Sequence, residues 1–223
     1  MRILVTGANG FIGKNIICRL NEIEKFEVIP FSRRDSFSKI EQEIVNVDAI
    51  IHLAGENRPA DTNAFHEVNV AFTQKLCDLI AKTGSKASVI FSSSTQAELD
   101  NAYGKSKLNA EKIIKNLAQE NGNKVYIYRL PGVFGKWAKP NYNSVIATFC
   151  YNTAHDLPLE IHNRSKILNL VYIDDVMEEF INALEGASNS YQSHCKVEPV
   201  YEASLSEIAC ALDSFKSSRS NLM

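Results

Sequence analysis

One octapeptide near the N-terminus constrains this chain more than any other feature. Thr6-Gly-Ala-Asn-Gly-Phe-Ile-Gly13 lies between an apolar run at residues 3–5 and a stretch at 12–20 whose apolar residues recur at helical spacing. Glycine spacing alone is common in loops; its placement between a strand and a helix is what gives it meaning. Gly7, Gly10 and Gly13 serve three needs between them: a sharp turn, close approach of a pyrophosphate to the backbone, and tight packing of helix on strand. The helix N-terminus then offers unpaired N–H groups and a partial positive charge to an anion.

The alternation continues along the chain. Residues 27–31, 48–53, 88–91 and 125–130 read as short apolar strands, with helices at 68–81 and 105–119. Strands so continuously apolar belong to a parallel sheet covered on both faces. After Pro131 the pattern breaks into Gly, Pro, Asn and aromatic residues. A helical stretch near 143–152, a strand at 167–173 and a helix at 174–184 follow. The expected fold class is α/β, a Rossmann-type doubly wound parallel sheet with a small C-terminal substrate-binding lobe. Residues 1–131 and about 166–185 would form the dinucleotide domain and 132–165 with 186–215 the lobe, itself expected to be truncated. Residues 216–223 read as a tail or the start of a linker.

Composition excludes several functions. Lys and Arg number 24 against 26 Asp and Glu, a net charge of −2 with no basic block, so no nucleic-acid partner is expected. No apolar run reaches the roughly 18 residues of a membrane span. The N-terminus enters a strand at once, without a signal-peptide layout. Five cysteines (Cys18, Cys77, Cys150, Cys195, Cys210) include no C-x-x-C pair and read as reduced thiols of a cytoplasmic protein. His155 and His162 stand far from any Cys or carboxylate cluster, so no metal site is expected.

The end of the second strand addresses the choice of cofactor. An acidic residue there would bond the ribose 2′-hydroxyl of NAD, whereas Ser32, Arg33 and Arg34 occupy the position, with Asp35 the ambiguous neighbour. A guanidinium can chelate a 2′-phosphate that a carboxylate would repel, so the expected cofactor is NADPH/NADP.

Tyr103-Gly-Lys-Ser-Lys107 places a phenol and an ammonium on one helix face, at i and i+4. A tyrosine near pKa 10 is a poor acid–base group at neutral pH, and a neighbouring Lys107 is expected to lower it. The preceding strand ends Phe91-Ser-Ser-Ser-Thr95, which offers hydroxyls to polarise a carbonyl at a strand C-terminus. His52 lies inside an apolar strand and reads as a satisfied core histidine. Asp174 and Asp175 read as helix caps, and Tyr172 as packing.

With these pieces in order, residues 1–215 resemble the extended branch of the short-chain dehydrogenase/reductase family, the NAD-dependent epimerases and dehydratases that act on nucleotide sugars. TGANGFIG, HLAG (His52 to Gly55), FSSST, YGKSK, RLPGVFG (Arg129 to Gly135) and VYIDDV (Val171 to Val176) carry the resemblance. It implies Tyr103 as proton donor, Lys107 as the residue holding the nicotinamide ribose, and Ser94 as the catalytic hydroxyl, with Ser93 as fallback. It also implies cofactor contacts from Phe11, Ile12, Leu53, Ala54, Gly55, Asn69, Ser92, Leu130, Pro131 and Val133. Substrate contacts would come from Ser93, Ser94, Asn57, Arg58, Asn143 and Arg164. LAGENRP and GVFGKWAKPNYNSVIATF resemble, more narrowly, a capsular polysaccharide reductase whose relatives carry a C-terminal cupin domain.

That likeness implies NADPH-dependent reduction of the C4 ketone of a UDP-4-keto-6-deoxy-hexosamine on the route to UDP-N-acetyl-L-fucosamine, by a homodimer. A transiently oxidising epimerase or a dehydratase is the first alternative, and a non-catalytic NADP-binding regulatory protein the second. The chain departs from the branch in its short connector from Thr95 to Ala102, in Gly132 where an Asn is usual, and in Leu168 where an Arg is usual. Arg164 and Lys166 are the nearest substitutes for that arginine.

Overall fold

Apolar side chains alternate along each central strand and point to two separate cores, which requires helices on both faces of one sheet. The structure is a computed structural model and describes residues 1–187, 190–191 and 194–218. Its sheet runs β2 (Glu27–Phe31), β1 (Arg2–Thr6), β3 (Ala49–His52), β4 (Ser88–Ser94), β5 (Val125–Leu130), then β9 (His194–Cys195) and β8 (Ser190–Tyr191). All neighbours are parallel except the β8–β9 pair. Ile3, Val5, Ile51 and Ile90 face a core closed by α1 (Phe11–Asn21) and α6 (Ile173–Leu184). Leu4, Ile50, Val89 and Phe91 face the opposite core, closed by α2 (Ser38–Glu43), α3 (Phe72–Thr83) and α4 (Ala102–Asn121). The expected doubly wound parallel sheet is present. Its order reverses between β1 and β3, where such sheets hold ligands beyond the strand C-termini.

The rest builds the far wall of that crevice. β6 (Gly132–Phe134), β7 (Ile167–Tyr172) and β10 (Tyr201–Ser204) form a second sheet in the order β10-β7-β6, with α5 (Val145–Ala154) and α7 (Leu205–Ser218) beside it. The segment around 166–185 therefore divides. Its helix α6 covers the main sheet, while its strand β7 pairs outside that sheet, with Gly132 opposite Leu170. Of the expected 216–223 tail, Lys216 to Ser218 complete α7, and 219–223 lie outside the described residues.

Before α3 the chain winds wider than an α-helix. Residues Phe65–Ala71 form a π-helical segment, and the Phe72 N–H that follows reaches the Glu67 carbonyl five residues back. Asn69, within this segment, is almost completely buried. Among the described residues no helix is long and apolar enough to cross a membrane, and all five cysteines are thiols.

Candidate active site

A single cleft of about 2500 Å³ runs from the glycine loop, past the C-termini of β1, β3 and β4, to the second sheet. The turn at its N-terminal end depends on glycine for steric reasons. Gly7 has φ +71°, and a Cβ there would sit 2.8 Å from the Leu53 carbonyl carbon. At Gly13 it would sit 2.3 Å from the Gly7 carbonyl oxygen. Gly10 caps α1 without a side chain, and the first turn carries no acidic residue, so its N–H groups suit an anion.

The loop is braced from beneath by His52. Thr6 Oγ1 accepts from the Leu53 and Ala54 amides, each at 3.2 Å, and so donates to His52 Nδ1 at 2.7 Å. Thr73 Oγ1 donates to the Asn69 carbonyl at 2.8 Å and so accepts from His52 Nε2 at 2.8 Å. These partners assign the Nε2–H tautomer. Burial lowers the His52 pKa to about 3, so the ring is neutral and belongs to the core, as expected.

The hydroxyl, phenol and ammonium come together at the end of β4. Ser94 caps the 3-10 turn Thr95–Glu98, accepting from the Gln96 amide at 3.2 Å, and its side chain lies near enough to Tyr103 to favour the phenolate. The short connector is thus what brings Tyr103 beside the serine. Asn101 caps α4 by accepting from the Gly104 amide at 2.7 Å, which puts Tyr103 in the first turn of the helix. Gly104 permits the approach, since a Cβ there would lie 2.1 Å from the Gln96 carbonyl. One turn on, Lys107 Nζ donates to the Ser92 carbonyl at 2.8 Å and lies over the Phe91 ring. A Cβ on Gly55 would fall 3.2 Å from that ammonium.

The electrostatics differ from the sequence expectation. Burial raises the Tyr103 pKa above its ordinary 10, and the nearby Ser94 hydroxyl only partly opposes this. The phenol is therefore protonated at neutral pH rather than tuned toward phenolate. Burial also lowers Lys107 from 10.5 to about 8, against the favourable field of Glu111.

The adjacent Ser93 points elsewhere. Its hydroxyl donates to Glu111 Oε1 at 2.5 Å, and Arg129 holds the same carboxylate with Nε at 2.9 Å and Nη2 at 2.7 Å. His194 Nε2 lies 3.2 Å from Glu111 Oε2. Burial opposes the charge of Glu111, but the Arg129 and Ser93 hydrogen bonds outweigh it and hold the carboxyl below its usual pKa range. Sequence reasoning did not single out Glu111. The signal was available, because it stands four residues after Lys107 on the same buried face of α4.

At the end of β2, Asp35 accepts from both the Ser32 amide (2.7 Å) and the Ser32 hydroxyl (2.8 Å), and pairs with Lys39. Its carboxylate closes its own turn, which leaves Arg33 and Arg34 on the cleft. Arg33 Nη2 meets Glu56 Oε2 at 2.9 Å. The expected residues Gly7, Gly10, Phe11, Ile12, Gly13, Ser32, Leu53, Ala54, Gly55, Ser92, Leu130, Pro131 and Val133 all line the cleft. So do Asn57, Arg58 and Asn143 at the second-sheet end.

Two expected residues do not line it. Asn69 stands behind the wall, its amide nitrogen donating to the Glu56 carbonyl and the Ser106 hydroxyl, both at 2.9 Å, and its oxygen accepting from the Glu56 amide at 2.7 Å. Arg164 is an exposed loop residue, while Lys166 lines the cleft. Tyr142, whose hydroxyl reaches Glu56 at 3.3 Å, is a loop aromatic beside Asn143 and carries no periodic signal in the sequence.

The NAD dependent epimerase/dehydratase family matches residues 3–195. UDP-2-acetamido-2,6-beta-L-arabino-hexul-4-ose reductase of Pseudomonas aeruginosa is 45% identical over 222 residues, 100% of this chain and 59% of that relative. The crystal structure of capsular polysaccharide assembling protein CapF from Staphylococcus aureus has a TM-score of 0.91 at 40% identity, covering 99% of this chain and 60% of that one. This chain thus spans about three fifths of the length of both. UDP-glucuronic acid 4-epimerase from Bacillus cereus, in complex with NAD, has a TM-score of 0.84 at 19% identity over 97% of this chain and 85% of that one, a likeness of fold alone.

Proposed function

We propose, on the premise that the chain belongs to the NAD dependent epimerase/dehydratase family, that it is an NADPH-dependent reductase of the C4 ketone of a UDP-4-keto-6-deoxy-hexosamine. The observation that carries this reading is the meeting of Ser94, Tyr103 and Lys107 at the end of β4, in the same cleft as the glycine loop. The names of the relatives at 45% and 40% identity, a reductase of a UDP-linked hexulose and a capsular polysaccharide protein, support the substrate class. A precursor role in capsular or surface polysaccharide, on the UDP-N-acetyl-L-fucosamine route, belongs to the same proposal. So do a cytoplasmic homodimer and a cupin domain acting beside the reductase.

The residues fit a dinucleotide. The glycine turn packs backbone against backbone where a Cβ would collide, and the α1 N-terminus beside it, with no acidic residue in its first turn, suits a pyrophosphate. Arg33 and Arg34 suit a 2′-phosphate, with the one nearby acid of that turn, Asp35, bonded away. When bound, the reduced nicotinamide supplies the hydride. The chain's own groups do the rest. Lys107, with one N–H on the Ser92 carbonyl, has two more donors for ribose hydroxyls. Ser94 stabilises the oxyanion developing at the sugar O4, and Tyr103 delivers its phenolic proton to that oxygen. A proton donor must hold its proton until the hydride moves, and burial of Tyr103 favours that state.

The test mixes purified protein with NADPH and a UDP-4-keto-6-deoxy-hexosamine, following the loss of reduced-cofactor absorbance. Turnover with the 4-hydroxy sugar as product is expected. Cofactor binding without turnover on this substrate would favour a regulatory NADP-binding protein instead.

A further inference from the structure

The cofactor-side arginine already has an anion on it. Arg33 is 80% exposed at its side chain, whereas Glu56, which it contacts at 2.9 Å, is only 14% exposed. The main chain of Glu56 is fixed, because Asn69 binds both its amide and its carbonyl. Its carboxylate, by contrast, is shared. Oε2 takes Arg33, and Oε1 takes the Tyr142 hydroxyl and the Asn57 amide, both at 3.3 Å. Glu56 therefore presents a negative charge at the guanidinium where the proposed function places a phosphate, from a position that cannot drift away.

We infer that Glu56 is a cofactor-specificity residue that competes with the 2′-phosphate of the dinucleotide for Arg33. The inference rests on the reading of Arg33 as the 2′-phosphate contact. A phosphate that takes the Nη2 donor displaces the carboxylate, and a ribose hydroxyl need not. An ion pair with so exposed a guanidinium is weak and readily exchanged. The displaced carboxylate keeps Tyr142 and Asn57 as donors, so the exchange leaves no stranded acceptor. The remaining charge still repels the phosphate. Glu56 thus moderates a preference that Arg33 creates, and holds NADPH less tightly than the arginines alone would.

The test titrates NADPH and NADH into the wild-type chain, Glu56→Gln and Arg33→Ala, following cofactor fluorescence at low and high salt. Glutamine keeps the size and the Tyr142 acceptor but removes the charge. It should tighten NADPH about three- to tenfold, the scale for one unit charge a few ångström away in a solvated setting, and change NADH less than twofold. Added salt should shrink the gain. Unchanged or weaker NADPH binding in Glu56→Gln, with Arg33→Ala still losing NADPH selectively, would overturn the role of Glu56 alone. Equal losses of both cofactors in Arg33→Ala would instead overturn the 2′-phosphate reading beneath it.

Discussion

The hydroxyl of Ser93 donates to Glu111 at 2.5 Å, while that of the next residue, Ser94, lies by the Tyr103 phenol on the cleft. Successive residues of a strand face opposite ways, so one of the two serines serves the buried ion pair and the other the cleft. Ser94→Ala is expected to lower kcat by about a hundredfold or more, the scale of one lost oxyanion donor. Ser93→Ala should leave kcat within a few-fold and cost about 1 kcal/mol of unfolding free energy, as a buried acceptor loses a donor. Steady-state kinetics beside urea denaturation distinguish the two. A reversed pattern would move the catalytic hydroxyl to Ser93.

Tyr103→Phe removes one oxygen and leaves the ring that faces Phe65. Turnover should fall by about a hundredfold or more with NADPH affinity within twofold. Because burial holds the phenol above 10, the activity profile should show no tyrosine ionisation through the neutral range. A mutant at full rate would remove the proton-donor role.

Lys107 supplies the pH dependence. Its ammonium loses its proton as pH rises through about 8, so cofactor-dependent turnover should be level below that value and fall above it. Stability should move the other way. Between about 8 and the ordinary 10.5, the unfolded chain binds a proton that the folded chain does not, so unfolding becomes harder as pH rises through that window. Lys107→Met is accordingly expected to gain about 1–2 kcal/mol toward denaturant at neutral pH while losing turnover. A destabilised variant would show that the Ser92 and Phe91 contacts outweigh the cost of burying the charge.

A methyl group at Gly13 would meet the Gly7 carbonyl at 2.3 Å. Gly13→Ala should therefore weaken NADPH at least tenfold and lower the unfolding free energy by about 2 kcal/mol. Gly84→Ala is the control. That glycine has φ +68° but nothing within 4 Å of an added Cβ, so it should cost about 1 kcal/mol and leave NADPH affinity unchanged.

Much of this was readable from periodicity. The apolar runs gave β1 to β5 to within a few residues, and the glycine loop, FSSST and YGKSK gave the floor of the cleft. Pairings that depend on distant partners were not readable. β7 resembles another core strand, yet it pairs with β6 and β10, and two-residue strands such as β9 leave no period to detect. The phenol's environment escapes the sequence for a related reason. Spacing shows that Lys107 shares a helix face with Tyr103, but burial, which dominates both pKa values, is a property of the folded surroundings. The family resemblance puts Asn69 among the cofactor contacts, whereas in the fold its amide is consumed by the Glu56 turn and Ser106.

The widened turn at Phe65–Ala71 carries a lesson for anyone shortening or grafting this region. Removing one residue ahead of Asn69 would let the coil tighten to regular α-geometry and gain better internal hydrogen bonding. The same deletion would rotate the asparagine by about 100° around the axis, carrying its amide off the Glu56 backbone. An edit that improves the helix would thereby unfasten the loop on which Arg33 and Tyr142 meet.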